Sequence, residues 1–133
     1  MTVLAMMENE TMQTSNELSA IGATIDEFFT GMHTGDVDRL RHAFHPDAYL
    51  FGYYKGCFSR LSLDDWMEEV RSEPKPSESN EPFDMRIVAT DVTGKVATVK
   101  TATLYLGLRF TDYLTLAQFD DGWKIINKAY HHD

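Results

Sequence analysis

Two groups of residues in this chain combine imidazole nitrogen with carboxylate oxygen, the donor types that bind metals and move protons: His45 with Asp47, and His131, His132 and Asp133. The segment His45-Pro46-Asp47 also reads as a turn in which Asp47 caps backbone amides, and the last three residues as a polar strand end. No metal is assigned to either group. A second set, Asp26, Glu27, Asp36, Asp38, Asp64, Asp65, Glu68 and Glu69, resembles the paired carboxylates of acid–base catalysis, yet falls on polar faces or first turns of expected helices. Those acids are read as solvated. The aromatic residues Tyr53, Tyr54, Trp66, Tyr105, Phe110, Tyr113, Trp123 and Tyr130 supply a core, and some are able to line a cavity. Cys57, the single cysteine, reads as a small packing residue. Phosphate-binding glycine loops, nucleophile elbows and zinc-protease helices are missing from the sequence, so no cofactor is expected.

The elements that must position these residues follow from length and patterning. A chain of 133 residues with 43% hydrophobic content suits one compact domain. Its net charge of −9 repels phosphate backbones, so nucleic acid is not an expected partner. No run approaches the ~18 apolar residues of a membrane span. The start, Met1 to Met12, carries Glu8 and Glu10 but no basic residue, unlike a secretory signal. With one cysteine, the expectation is a cytoplasmic protein without membrane attachment.

Residues 1–13 read as an N-terminal extension and 14–133 as the single domain. Thr14 with Glu17 predicts a capping box opening a helix whose stripe is Leu18, Ile21, Ile25, Phe28, Phe29 and Met32. Gly35 ends it, and Asp36 caps a short helix carrying Val37, Leu40 and Phe44. Ala48–Tyr54 reads as a strand ending at Gly56, and Ser62 with Asp65 starts a third helix bearing Leu63, Trp66, Met67 and Val70. After a proline-containing loop, Glu73–Pro82, period-two segments at 83–92, 95–108, 112–119 and 123–130 predict an antiparallel meander. Helices followed by strands indicate an α+β fold.

The order of elements, with Thr34-Gly35-Asp36, His45-Pro46-Asp47-Ala48, Asp112-Tyr113-Leu114 and Asp121-Gly122-Trp123-Lys124-Ile125-Ile126-Asn127-Lys128, resembles the nuclear transport factor 2-like superfamily over about residues 15–132. Within it the chain is most similar to the putative lumazine-binding branch, relatives of the SnoaL-like polyketide cyclases and ketosteroid isomerases. The resemblance implies a cone: a strongly curved antiparallel sheet wrapped around the long N-terminal helix with two further helices, a pocket at the open end, and a homodimer packed through the sheets. Carried over residue by residue, the isomerase tyrosine donor falls on Phe28, the aspartate base on Gly52 and the acidic second donor on Thr115. A phenyl ring and a glycine do no proton chemistry, so the isomerase mechanism is not expected.

If the pocket persists without that chemistry, period two places Leu50, Gly52 and Tyr54 on its wall with Tyr113, Thr115, Asn127, Ala129 and His131, while Trp66 closes its mouth. The expected ligand-binding residues are therefore Phe28, Leu50, Gly52, Tyr54, Trp66, Tyr113, Thr115, Asn127 and His131. This wall suits a planar heterocycle or polycyclic small molecule held by stacking and a few hydrogen bonds. A binding protein without established catalysis is the first expectation. The alternatives are a SnoaL-like or dehydratase/isomerase-type enzyme, with His131 and Tyr113 or Asp47 moving the proton, and a dimeric interaction module whose cone is empty or collapsed.

Overall fold

A computed structural model describes residues 3–133, with side chains from Ser15 onward. Helix α1 spans Val3–Thr34 and α2 spans Val37–Ala43. Strands β1 (Phe44–Tyr54) and β2 (Cys57–Ser62) form a hairpin, followed by α3 (Leu63–Ser72) and a 3-10 turn at Pro76–Ser79. Then come β3 (Met85–Thr93), β4 (Val96–Tyr105), β5 (Leu108–Phe119) and β6 (Gly122–His132). The six strands form one curved, unclosed sheet in the order β2-β1-β6-β5-β4-β3. All neighbouring strands are antiparallel except β1 and β6, which run parallel. This is the expected α+β cone.

Local chemistry explains most boundaries. Asp36 accepts a hydrogen bond from the amide of Arg39 at 3.1 Å to open α2. Ser62 accepts from the amide of Asp65 at 3.1 Å to open α3, whose first turn carries Asp64 and Asp65 beside the positive end of the helix dipole. Along α1, Ile21, Ile25, Phe28, Phe29 and Met32 are buried against the sheet, where they meet Val99, Leu114, Leu116, Trp123 and Ile125. Non-adjacent segments of chain thus share one core.

Several expectations need correction. The helix runs through Thr14, so a Thr14–Glu17 capping box does not start it. The expected extension, residues 1–13, is helical backbone from Val3, and Met1 and Thr2 lie outside the described residues. Leu18 is 44% exposed rather than part of the buried stripe. His45-Pro46-Asp47 is no turn: it belongs to β1, whose pairing with β6 shifts register between Phe44 and Tyr49. Asp47 does not cap an amide there. Its own amide donates to His45 Nδ1 at 3.1 Å. Strand β2 was not anticipated, because Phe58, Arg60 and their neighbours form an edge strand that has no fully buried residue and lacks an apolar stripe. The segment 95–108 divides at Leu106-Gly107, where β4 turns into β5.

Candidate functional site

The concave face of the sheet and helices α1 and α3 enclose a cavity of about 410 Å³, within the ~300–1,000 Å³ range of small-molecule pockets. Its buried end is made by Met32 of α1, Leu50 of β1, Trp66 of α3 and Lys128 of β6. Ser59, Leu61, Phe110 and Tyr130 form the sides, while Tyr54, Cys57, Tyr105, Leu106, Leu108, Glu69 and Glu73 complete the lining toward solvent. The wall is mostly apolar and aromatic, with one cation and two carboxylates.

Lys128 is the feature that the sequence reading missed. Its side chain is 8% exposed, and Nζ lies 4.5 Å from the ring centroid of Trp66, 5.2 Å from that of Phe28 and 5.4 Å from that of Tyr130. The facing carboxylate is Asp112, whose Oδ1 is 3.9 Å from Nζ. The other oxygen, Oδ2, accepts from Thr101 Oγ1 at 3.1 Å and Thr103 Oγ1 at 3.0 Å, so the carboxylate is fixed from behind. Among the described residues, Oδ1 has no hydrogen-bond donor of its own. Burial lowers the pKa of Lys128, a fall that the charges of Asp112 and Glu73 oppose only in part.

The strands place Lys128 inward through one irregularity. Leu116 pairs with Ile125 and Thr115 with Asn127, so Ile126 is an extra residue, a bulge that flips the alternation of β6. Trp123 and Ile125 point in before it, and Lys128 and Tyr130 after it. On β5 the inward set is even-numbered, with Asp112, Leu114 and Leu116 fully buried.

Leu50, Tyr54 and Trp66 therefore line the cavity, although Trp66 sits at its buried end rather than at its mouth. Phe28 is buried beneath Lys128 and packs against Phe29, Phe44 and Trp66. Gly52 contributes space rather than a wall: a Cβ there would lie 2.2 Å from the carbonyl oxygen of Tyr130 and 2.6 Å from its ring. Tyr113, Thr115, Asn127, Ala129 and His131 take the opposite parity and face away from the cavity, which corrects their expected place on its wall. Tyr113 is 51% exposed, with Lys100 Nζ 5.4 Å from its ring. His131 is exposed beside Tyr53, at the far end of β6 from the strands around His45. His131 therefore has no access to a ligand in the cavity, nor does it meet His45 or Asp47.

Acidic groups stand near the opening. Glu73 accepts from the Tyr105 hydroxyl at 3.0 Å, and burial together with Glu73 holds the Tyr105 phenol well above its usual range. Burial, then the charges of Glu73 and Asp65, raises the carboxyl of Glu69 above its ordinary value. Two hairpin turns frame this region, Lys55-Gly56 and Leu106-Gly107, both with positive φ at each central residue, as type I′ turns require. A non-glycine residue pays strain in that conformation, and both turns are braced. Glu81 accepts from the amides of Leu106 and Gly107 at 3.1 and 2.6 Å, and His132 Nε2 accepts from the amide of Lys55 at 2.8 Å.

A family model described as putative lumazine-binding matches residues 16–131. A protein named aldolase FrzH, from Cladobotryum sp., is 25% identical over 118 residues, covering 89% of this chain and 93% of the relative. A crystal structure of a nuclear transport factor 2-like protein of unknown function from Silicibacter pomeroyi DSS-3 superposes with a TM-score of 0.79 at 25% identity, covering 90% of this chain and 98% of the other. A comparable protein from Shewanella baltica OS155 gives a TM-score of 0.79 at 23% identity, covering 90% and 95%.

Proposed function

We propose, on the premise that this chain belongs to the putative lumazine-binding family of nuclear transport factor 2-like proteins, that it binds a planar, partly aromatic small molecule in the cone, with Lys128 as the polar anchor. The observation that carries this reading is the cavity of about 410 Å³ that has Trp66, Phe110 and Tyr130 on its wall and a single cation, Lys128, at its buried end. Aromatic faces give stacking surface, and an ammonium or amine in a poorly solvated site recognises a carbonyl or anionic oxygen far more strongly than it does at the surface. Side chains do not fill the cone, which favours this reading over a collapsed interaction module.

A second reading, an enzyme, is favoured by the placement of Lys128, Glu69 and Glu73 around the same space. These residues replace His131 as the candidate proton-transfer groups. The relative named as an aldolase supports carbonyl chemistry as the class to test. A cytoplasmic homodimer remains part of the proposal: Tyr49, Tyr53 and Phe58 stand exposed on the outer side of β1 and β2, a patch suited to a second copy.

Isothermal titration calorimetry with lumazine tests the pocket. Saturable binding is expected in the parent protein, with loss of binding in Leu61→Trp, which fills the cavity. Equal heats in both proteins, or none in either, overturn the reading.

A further inference from the structure

We propose that Lys128 is a covalent site, at which Nζ condenses with the aldehyde or ketone carbon of a small molecule held in the cavity to form a Schiff base. The inference rests on the pocket reading above and deepens it by naming the reactive group and the class of ligand.

The geometry sets Lys128 apart from an ordinary buried ion pair. Such pairs normally close to ~2.7–2.9 Å between nitrogen and oxygen, which offsets the cost of removing both charges from water. Here Nζ and Asp112 Oδ1 stay 3.9 Å apart, beyond hydrogen-bond reach. The carboxylate does not swing to close the gap, because Thr101 and Thr103 hold its other oxygen. Around Nζ stand the rings of Phe28, Trp66 and Tyr130, and Lys128 borders the cavity itself. The amine is therefore poorly solvated, loosely paired and open toward a ligand. Desolvation of this kind enriches the neutral amine, which is the nucleophilic form.

The condensation balances without any oxidant or reductant. The nitrogen lone pair forms the C–N bond while one N–H proton passes to the carbonyl oxygen, giving a carbinolamine. The C–O bond then breaks and the oxygen leaves as water with the second N–H proton, giving the imine. Asp112 Oδ1, 3.9 Å from Nζ, is the carboxylate oxygen that faces the amine and takes up these protons. Protonation of the imine makes an electron sink that activates the bonds on the adjacent carbon. The fitting substrates are therefore planar aldehydes or ketones, and the reaction class is proton loss or carbon–carbon bond making and breaking beside the carbonyl.

The test treats the protein with 2-naphthaldehyde and cyanoborohydride at pH 7, then measures reductive alkylation of each lysine by peptide mass spectrometry. Because the cavity holds the aldehyde beside Nζ, Lys128 should react at least ~10-fold faster than Lys55, Lys75, Lys95, Lys100 or Lys124. The Lys128→Arg variant, which keeps the cation, should leave labelling of the other lysines unchanged. If Lys128 reacts no faster than they do while lumazine still binds, the covalent inference falls and the pocket reading stands. If neither labelling nor lumazine binding occurs, both fall.

Discussion

Replacing Lys128 by methionine and Asp112 by asparagine, singly and together, measures how strongly the cone interior depends on its charge pair. At the observed 3.9 Å and an effective dielectric near 20, the Coulomb attraction is about 4 kcal/mol. Desolvation offsets much of this in the intact pair, but a single replacement strands the partner. Lys128→Met leaves a carboxylate with 0% exposure facing apolar rings, and Asp112→Asn leaves the amine without its counter-charge. Each single change is expected to cost ~3–5 kcal/mol, the usual cost of breaking a buried pair from one side. The double variant should cost much less than the sum, giving a coupling of ~2–4 kcal/mol in urea denaturation at pH 7. Lost contact between the ammonium and the three rings appears in the Lys128 single variant and cancels from the coupling. Costs that add to within ~0.5 kcal/mol would refute an electrostatic link between the two side chains.

Stability should rise with pH as Lys128 approaches its lowered folded pKa and level off near its ordinary value of 10.5, because the unfolded chain holds the proton more tightly throughout that window. Urea midpoints between pH 7 and 9.5 should therefore climb in the parent protein, and Lys128→Met should flatten the slope. Gly52→Ala forces a Cβ to within 2.2 Å of the Tyr130 carbonyl, and is expected to destabilise by ~1–3 kcal/mol in urea; an unchanged midpoint would mean that β1 and β6 separate easily. Glu81→Ala removes the acceptor for the Leu106 and Gly107 amides, so hydrogen exchange at these two positions should accelerate at least ~10-fold, while exchange at Leu114 and Leu116 stays slow. Phe58→Asp places a charge on the exposed patch of β1 and β2, and analytical ultracentrifugation should show a shift from dimer to monomer; a parent protein that is already monomeric removes that patch as a self-contact.

The elements of the fold were legible wherever the local code and the tertiary need agree. Asp36 and Ser62 stand at helix starts, Leu63, Trp66, Met67 and Val70 repeat with helical spacing, and strands β4 and β5 alternate. The resemblance supplied the cone, and period two along β1 was enough to turn Leu50 and Tyr54 inward. Other signals were available but outweighed. Asp112 lies in register with Leu114 and Leu116, a charged residue in an apolar row, yet counting along the expected pocket wall favoured Tyr113 and Thr115. Strand β2 has little local signature, because an edge strand without a fully buried residue obeys pairing more than hydrophobicity.

By itself, then, the sequence determined the helix faces, the strand meander and the supply of aromatic residues, because each is set by side chains close together in the chain. Tertiary structure decided which polar residues meet in the cavity. One extra residue at Ile126 reverses the facing of everything after it in β6, taking Asn127 and His131 to the outer face and bringing Lys128 to Trp66, Tyr130 and Asp112. Alternation carries no record of where a bulge resets it: the reset is fixed by pairing with Thr115 and Leu116 on the neighbouring strand.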